Sequence, residues 1–365
     1  MAGCIGCNGK ILFVDLTSGS VEEEILPEAV YRNFIGGSGL GARILYERMK
    51  PNVDPIGPEN ILGFVTGILN GTKVPTASKF TVVGKSPLTN TWGDSASGGL
   101  FASELKATGY DAIFFTGISP KPVYLWLNDG KVEIKDATHI WGKDTQETEK
   151  IVVQELGDER AKVVRIGPAG ESCSLIAGMV ADRDRVAARS GLGAVMGAKR
   201  LKAIAVRGTH RTGIADTDQF NKLRASFLRQ FNDTKHFPIV EELKAGTGSN
   251  MAAVPIGWAP IKNWNLMGKE AFPTYTKIAW QNNVKYNIKK WGCSNCPISC
   301  GYAVGVKEGP YAVEGRKPEY ETLAAFGSML LNDNAESIIK ANNICDRYGV
   351  DTISAGSTIA FAMEC

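Results

Sequence analysis

The sequence predicts an α+β protein, with a β-rich N-terminal domain over residues 1–209 followed by an all-helical domain over residues 210–365. Three observations carry that expectation. Up to about residue 208, short apolar runs alternate with Gly, Asn, Asp and Pro, the pattern of strands joined by turns. Beyond Thr209 the apolar residues recur at helical spacing. A chain of 365 residues, 44% of them hydrophobic, is also long enough to bury more than one core.

The elements follow in order. Residues 11–16 and 21–26 flank Thr17-Ser18-Gly19-Ser20 and read as a hairpin. Helices are expected at 28–35 and 37–49, strands at 61–66 and 80–85, a helix at 99–108 and a strand at 112–116. Residues 123–127 and 131–135 form a second hairpin, because Asn128-Asp129-Gly130 supplies the positive φ that a tight turn needs. A helix at 145–156 and strands at 163–166 and 203–206 complete the region. In the second region Asp216 and Thr217 are capping types for a helix at 216–231, and a helix at 334–348 ends at Gly349, a left-handed C-cap. Asp351 then caps a helix running through Phe361. That helix meets no stop signal before Cys365, so a further domain is expected, either lost or carried on another chain.

A formal charge of +3 leaves no basic stripe for a polyanion, so nucleic acid is not an expected partner. No apolar run approaches the ~20 residues that span a bilayer, and the N-terminal residues lack the charged and apolar regions of a signal peptide; the expected location is the cytoplasm. The chain is rich in glycine, with 41 residues, and carries 8 cysteines. In a reducing compartment clustered cysteines hold metal more often than they form disulfides.

Trp291-Gly292-Cys293-Ser294-Asn295-Cys296-Pro297-Ile298-Ser299-Cys300 places three thiolates at CxxCxxxC spacing, enough to wrap one compact metal centre. Iron–sulfur clusters and zinc both use such loops. Zinc would want a fourth Cys or His, and His139, His210 and His236 are all distant in sequence. Cys4 and Cys7 make a separate CxxC, a redox pair or half of another site if not incidental, whereas Cys173 and Cys345 read as small core residues. Ser38-Gly39-Leu40-Gly41-Ala42 recurs as Ser190-Gly191-Leu192-Gly193-Ala194, each at a helix entry, where a tight turn and an anion site are both open readings. Arg189 and Lys199-Arg200 flank the second copy and favour phosphate there. In Pro318-Glu319-Tyr320-Glu321 the acids have a plain capping role available, as do Asp346 and Asp351 around Gly349.

The order of these motifs resembles the tungsten-dependent aldehyde:ferredoxin oxidoreductase family. The resemblance rests on residues 10–17, Gly36-Gly37-Ser38-Gly39, residues 80–89, Gly98-Gly99, residues 104–112, Ile166-Gly167-Pro168-Ala169-Gly170-Glu171, Asp182-Arg183-Asp184-Arg185, residues 189–199, the cysteine loop, Pro318-Glu319-Tyr320-Glu321 and residues 346–354, covering almost the whole chain. It implies a β-rich base for two pyranopterins holding one tungsten, or molybdenum, with Mg²⁺ bridging their phosphates and a [4Fe–4S] cluster beside one pterin. By that likeness Cys293, Cys296 and Cys300 are cluster ligands, and Lys79 meets a pterin phosphate. Ala96, Ser97, Gly98, Arg189, Ser190 and Gly191 fall where backbone atoms and an Arg meet the pterins and the Mg²⁺. Asp346, Gly349, Val350 and Asp351 match a pterin-binding DxxGL[CD] motif, with Val for Leu. Glu321, or else Glu319, takes the place of the carboxylate near tungsten, expected in an apolar pocket. The activity implied is oxidation of an aldehyde to a carboxylate, with electrons passing to ferredoxin or an iron–sulfur electron-transfer subunit, in a homodimer or hetero-oligomer. The alternatives are a non-catalytic cofactor-binding paralogue and a relative that reduces an aromatic acyl-CoA. Family members are longer, and the second pterin motif, the fourth cluster cysteine and a His near tungsten belong to the part beyond this chain.

Overall fold

The computed structural model describes residues 5–233, 235–236 and 238–365, and the chain forms two compact units. The first comprises residues up to Asn221 together with Cys293–Asn295 and Arg347–Val350; the second comprises Lys222–Gly292, Cys296–Asp346 and Asp351–Cys365.

In chain order the first unit contains β1 (Lys10–Asp15), β2 (Ser20–Ile25), α1 (Glu28–Phe34), α2 (Gly37–Arg48), β3 (Leu62–Thr66), β4 (Phe80–Lys85), β5 (Trp92–Ser97), α3 (Phe101–Ala107) and β6 (Ala112–Thr116). It continues with β7 (Val123–Asn128), β8 (Lys131–Asp136), α4 (Thr145–Leu156), β9 (Lys162–Arg165), α5 (Pro168–Glu171), β10 (Met179–Ala181), β11 (Arg185–Ala187), α6 (Leu192–Ala198) and β12 (Leu201–Arg207). The strands make two six-stranded sheets, in the orders β2-β1-β6-β3-β4-β5 and β11-β10-β9-β12-β7-β8. Both expected hairpins form: β1 pairs β2 from Lys10↔Ile25 to Asp15↔Ser20, and β7 pairs β8 around Asp129 and Gly130, with φ of 44° and 82°.

Layering explains why several strands read as unbroken apolar runs. Phe64, Phe80 and Phe115 of the first sheet and Leu125, Val164 and Ile204 of the second share one core with Phe101 and Leu105 of α3 and Val195 and Met196 of α6. The far face of the first sheet is covered by Leu40, Ile44 and Leu45 of α2, and that of the second by Val152 of α4. A strand covered on both faces has no need of polar alternation, and every residue of β3 is buried. By contrast β5, with the sequence Trp-Gly-Asp-Ser-Ala-Ser, alternates exposed and buried and lies at a sheet edge. Its small polar residues carry little strand propensity, so sequence reading passes over it.

The second unit holds most of α7 (Thr217–Asn232), then α8 (Ile239–Lys244), a run of 3₁₀ turns, β13 (Asn287–Trp291), β14 (Gly301–Val306), β15 (Val313–Arg316), α9 (Tyr320–Phe326), most of α10 (Ala335–Tyr348) and α11 (Thr352–Glu364). The expectation of an all-helical region is corrected here, because β13, β14 and β15 form an antiparallel sheet. The cysteine loop separates the first two strands and hides their pairing from a local reading. The α+β class stands. The expected helices at 334–348 and after Asp351 are α10 and α11, and the Asp351 carboxylate accepts from the Ile353 and Ser354 amides.

Candidate cofactor-binding site

The cysteine loop is the connection of a hairpin. Trp291 of β13 pairs with Gly301 of β14, and a Cβ on Gly301 would stand 2.7 Å from the Trp291 ring, so the indole requires a glycine opposite it. Within the loop, Asn295 and Ser299 adopt φ of 52° and 48°, left-handed bends that fold a short segment tightly. Cys293, Cys296 and Cys300 are partly buried and form no disulfide. Among the described residues no three His, Cys, Asp or Glu side chains close on a single metal ion. A zinc ion would draw its thiolates to about 2.3 Å, whereas each iron of a cubane takes its own cysteine. Three thiolates with no carboxylate or imidazole among them are a donor set that fits iron–sulfur chemistry.

Cys293–Asn295 is seated on the first unit. The Ser294 amide donates to Gly99 O at 3.0 Å, the Thr76 amide donates to Asn295 O at 3.2 Å, and Asn295 Nδ2 donates to Thr72 O at 3.0 Å. A Cβ on Gly98 would stand 3.0 Å from Cys293 Sγ, so the sulfur uses the space that this glycine leaves open. In the pairing of β4 with β5 Phe80 stands opposite Ser97, and Lys79 and Gly98 are the residues that follow at that end of the two strands. Lys79 and Ala96 are exposed while Ser97 is buried.

The 189–191 turn is bonded to the same edge strand. The Arg189 amide donates to Ser95 Oγ at 3.1 Å, Ser190 Oγ donates to Asp94 O at 3.1 Å, and Ser86 Oγ donates to Ser190 O at 2.8 Å. Ser190 and Gly191 both have left-handed φ, of 68° and 65°. A Cβ on Gly191 would stand 2.5 Å from Leu175 O, and one on Gly193 would overlap the backbone of Ala177 and Gly178. The glycines of this repeat are therefore spent on close backbone packing. Of the two cations after it, Lys199 is withdrawn from solvent and Arg200 stays exposed. Lys199 is fully buried and donates to Gly117 O at 3.1 Å, while Arg200 donates to the Ser119 and Pro120 carbonyls. Arg189 is exposed.

The turn at 347–350 docks on this margin too. The Gly178 amide donates to Gly349 O at 2.8 Å, Val350 bridges Ala177, and Gly349 has φ of 71°. A Cβ on Gly167 would overlap the Tyr348 carbonyl, so Gly167 of the Gly-Pro-Ala-Gly motif is required by this approach. Arg347 reaches Asp144, which also caps α4 in a capping box with Glu147. The first unit thus gathers Lys79, Ala96–Gly98, Arg189–Gly191, Gly349, Val350 and Cys293 along connected segments.

The remaining expected residues belong to the second unit. Asp346 is buried and accepts from Asn342 Nδ2 at 2.9 Å, and Asp351 caps α11. Glu319 is held by the Thr247 amide at 3.2 Å and by Thr247 Oγ1 at 2.7 Å, with Lys317 Nζ 3.5 Å away. Glu321 is exposed, which corrects the expectation of an apolar pocket around it. Thr322–Phe326 of α9 are all buried, whereas Glu321 lies in the first turn of the helix, at its exposed start.

Comparison with known proteins settles the family. A model of the aldehyde ferredoxin oxidoreductase N-terminal domain matches residues 11–208, and a model of domains 2 and 3 of the same family matches residues 228–365. This chain belongs to the aldehyde ferredoxin oxidoreductase family. It is 39% identical over 360 residues to a tungsten-containing aldehyde ferredoxin oxidoreductase of Pyrococcus furiosus, an alignment covering 98% of this chain and 58% of the relative. An aliphatic sulfonate oxidoreductase WOR-like subunit of the same organism is 32% identical, with 98% of this chain and 59% of that one aligned. Among solved structures, the active-site complex BamBC of benzoyl coenzyme A reductase with 1,5-dienoyl-CoA superposes with a TM-score of 0.85 at 31% identity, over 99% of this chain and 56% of that chain. The chain thus spans well under two thirds of the length of these relatives. No helix among the described residues is long and apolar enough to cross a membrane.

Other features of this aldehyde ferredoxin oxidoreductase relative lie off the expected site. Cys7 is buried and disulfide-bonded, which leaves it no thiolate for a metal, and Cys4 lies outside the described residues. Burial pushes the Cys345 thiol up to about 12, in keeping with a core residue. A cavity of about 830 Å³ in the first unit is lined in part by Gln146, Glu149, Lys162, Asp182 and Asp184. Sequence reading missed it because its walls come from separate segments. Its acids serve the fold: Glu149 pairs with buried Arg165 at 2.6 Å, and Asp182 accepts from the Leu100 and Phe101 amides at the start of α3. Burial nevertheless raises the Asp182 carboxyl above its ordinary value.

Proposed function

We propose that this chain provides the pterin base and three cluster thiolates of a tungsten oxidoreductase that converts aldehydes to carboxylates and passes the electrons to ferredoxin. The reading rests above all on one observation, the seating of Cys293 on Gly98. A cysteine of the iron–sulfur loop and the glycine turn of the pterin base then share one margin of the first unit. Cys293, Cys296 and Cys300 hold a [4Fe–4S] cluster in this reading. Lys79 and Arg189 bind pterin phosphate, and Ala96–Gly98 and Ser190–Gly191 offer backbone atoms to the pterins and to Mg²⁺. Gly349, Val350, Asp346 and Asp351 hold a pterin edge.

When bound, a tungsten centre with four soft dithiolene sulfurs supplies low-potential two-electron chemistry. This chain's own part is to bind, orient and move protons. Glu321, exposed on the first turn of α9, accepts a proton as the hydrated aldehyde becomes a carboxylate. Glu319, tied to Thr247 and Lys317, holds the start of that helix in place.

Metal analysis of the full-length protein purified without oxygen tests the proposal. Tungsten together with iron is the expected result, and zinc alone would overturn it. The likeness to the benzoyl coenzyme A reductase complex favours a second reading, reduction of an aromatic acyl-CoA. Turnover of an aryl thioester without turnover of aldehydes would select it.

A further inference from the structure

Lys317 is a fully buried cation that the proposed chemistry leaves unused. Its backbone amide donates to Tyr302 O at 2.9 Å, two residues past Cys300, so it is anchored directly to the strand that leaves the cysteine loop. Its ammonium donates to Ala245 O and stands 5.9 Å from the centre of the Trp280 ring. A Cβ on Gly246 would overlap Lys317 Nζ and stand 3.5 Å from Cys300 Cβ, so the ammonium and this cysteine crowd the same point. Burying an ammonium is costly unless nearby negative charge offsets it. The Glu319 carboxylate, 3.5 Å away, already accepts two hydrogen bonds from Thr247 and offsets the charge only in part. Besides Glu319, Cys300 also favours the charged ammonium, and the neighbouring Arg316 disfavours it.

We propose that Lys317 is a positioning charge that raises the reduction potential of the cluster held by Cys293, Cys296 and Cys300. This inference rests on the cluster assignment made above. One-electron reduction makes a cluster more negative, and a fixed positive charge beside one of its thiolates stabilises the reduced form. Glu319 opposes the effect, so the pair sets the potential between two limits.

The test is an EPR-monitored redox titration of the full-length protein, purified without oxygen, as wild type, Lys317→Met, Lys317→Arg and Glu319→Gln, with iron counted in each. Lys317→Met should disfavour reduction at least tenfold, a fall of about 59 mV for a one-electron couple. Lys317→Arg keeps the charge and should stay within about threefold of wild type, a bound of roughly 30 mV for one electron. Glu319→Gln removes the opposing charge with Lys317 left in place and should raise the potential. Wild-type iron content with an unchanged potential in Lys317→Met overturns the inference, as does an equal fall in Lys317→Arg. If Lys317→Met takes up no iron, the absence of a rise in Glu319→Gln overturns it instead. Wild-type protein with neither iron nor a cluster signal defeats the cluster assignment itself, an outcome distinct from a cluster whose potential ignores Lys317.

Discussion

Lys199 tests directly whether the cation after the second glycine repeat serves a ligand or the fold. Its ammonium is fully buried, donating to Gly117 O at 3.1 Å and Pro58 O at 3.5 Å. Burial pulls it down from 10.5 to about 8, with Asp15 pushing back weakly. Because the folded value lies below the unfolded one, the unfolded chain binds more protons between the two, and stability rises with pH across that window. The full shift corresponds to about 3 kcal/mol, at ~1.4 kcal/mol per unit. Buried Tyr31 sets the upper limit of the useful range. Burial and then Asp111 raise its hydroxyl, so the folded state holds that proton above pH ~10 and stability falls there. Urea unfolding of wild type and Lys199→Met should therefore be compared at matched ionic strength between about pH 7.5 and 10, a span set by these two groups. The difference, wild type minus variant, should grow by roughly 2–3 kcal/mol towards high pH. Lost bonds to the two carbonyls offset the variant's gain at neutral pH by about 1 kcal/mol each. A difference that stays flat across the range would refute a buried lysine charge at Lys199.

Three further outcomes are expected. Gly98→Val would push against Cys293 Sγ, so iron content should fall while urea stability changes little; full iron content would sever the cysteine from the pterin turn. Glu321→Gln should leave tungsten and iron in place and abolish turnover, and unchanged turnover would remove Glu321 from the reaction. Asp144→Ala removes the cap of α4, costing about 1 kcal/mol. It adds only a few tenths for the exposed side of the Arg347 pair. Urea unfolding reads that change, and a loss above about 3 kcal/mol would mean that the Arg347 turn depends on Asp144 more than this sum allows.

Much of the fold was legible locally. The two hairpins, the helix 145–156 with its Asp144 cap, and the Asp351-capped final helix follow from turn and capping chemistry acting within a few residues. What escaped needed partners far away in the chain. The edge strand β5 exists because Phe80 to Lys85 lies beside it, and β13 and β14 pair only once the cysteine loop has turned. Glu321 shows the same limit, since its exposure depends on how the start of α9 is packed.

The sequence by itself determined the motif order, and with it the family, because cysteine spacing and helix signals are local properties of the chain. Tertiary structure decided what each glycine and lysine is for. Gly98 yields space to a sulfur nearly two hundred positions later, Gly167 yields it to the Tyr348 carbonyl, and Lys199 points into the core instead of towards a phosphate. Burial and close approach arise from residues that only folding brings together, so no local pattern encodes them.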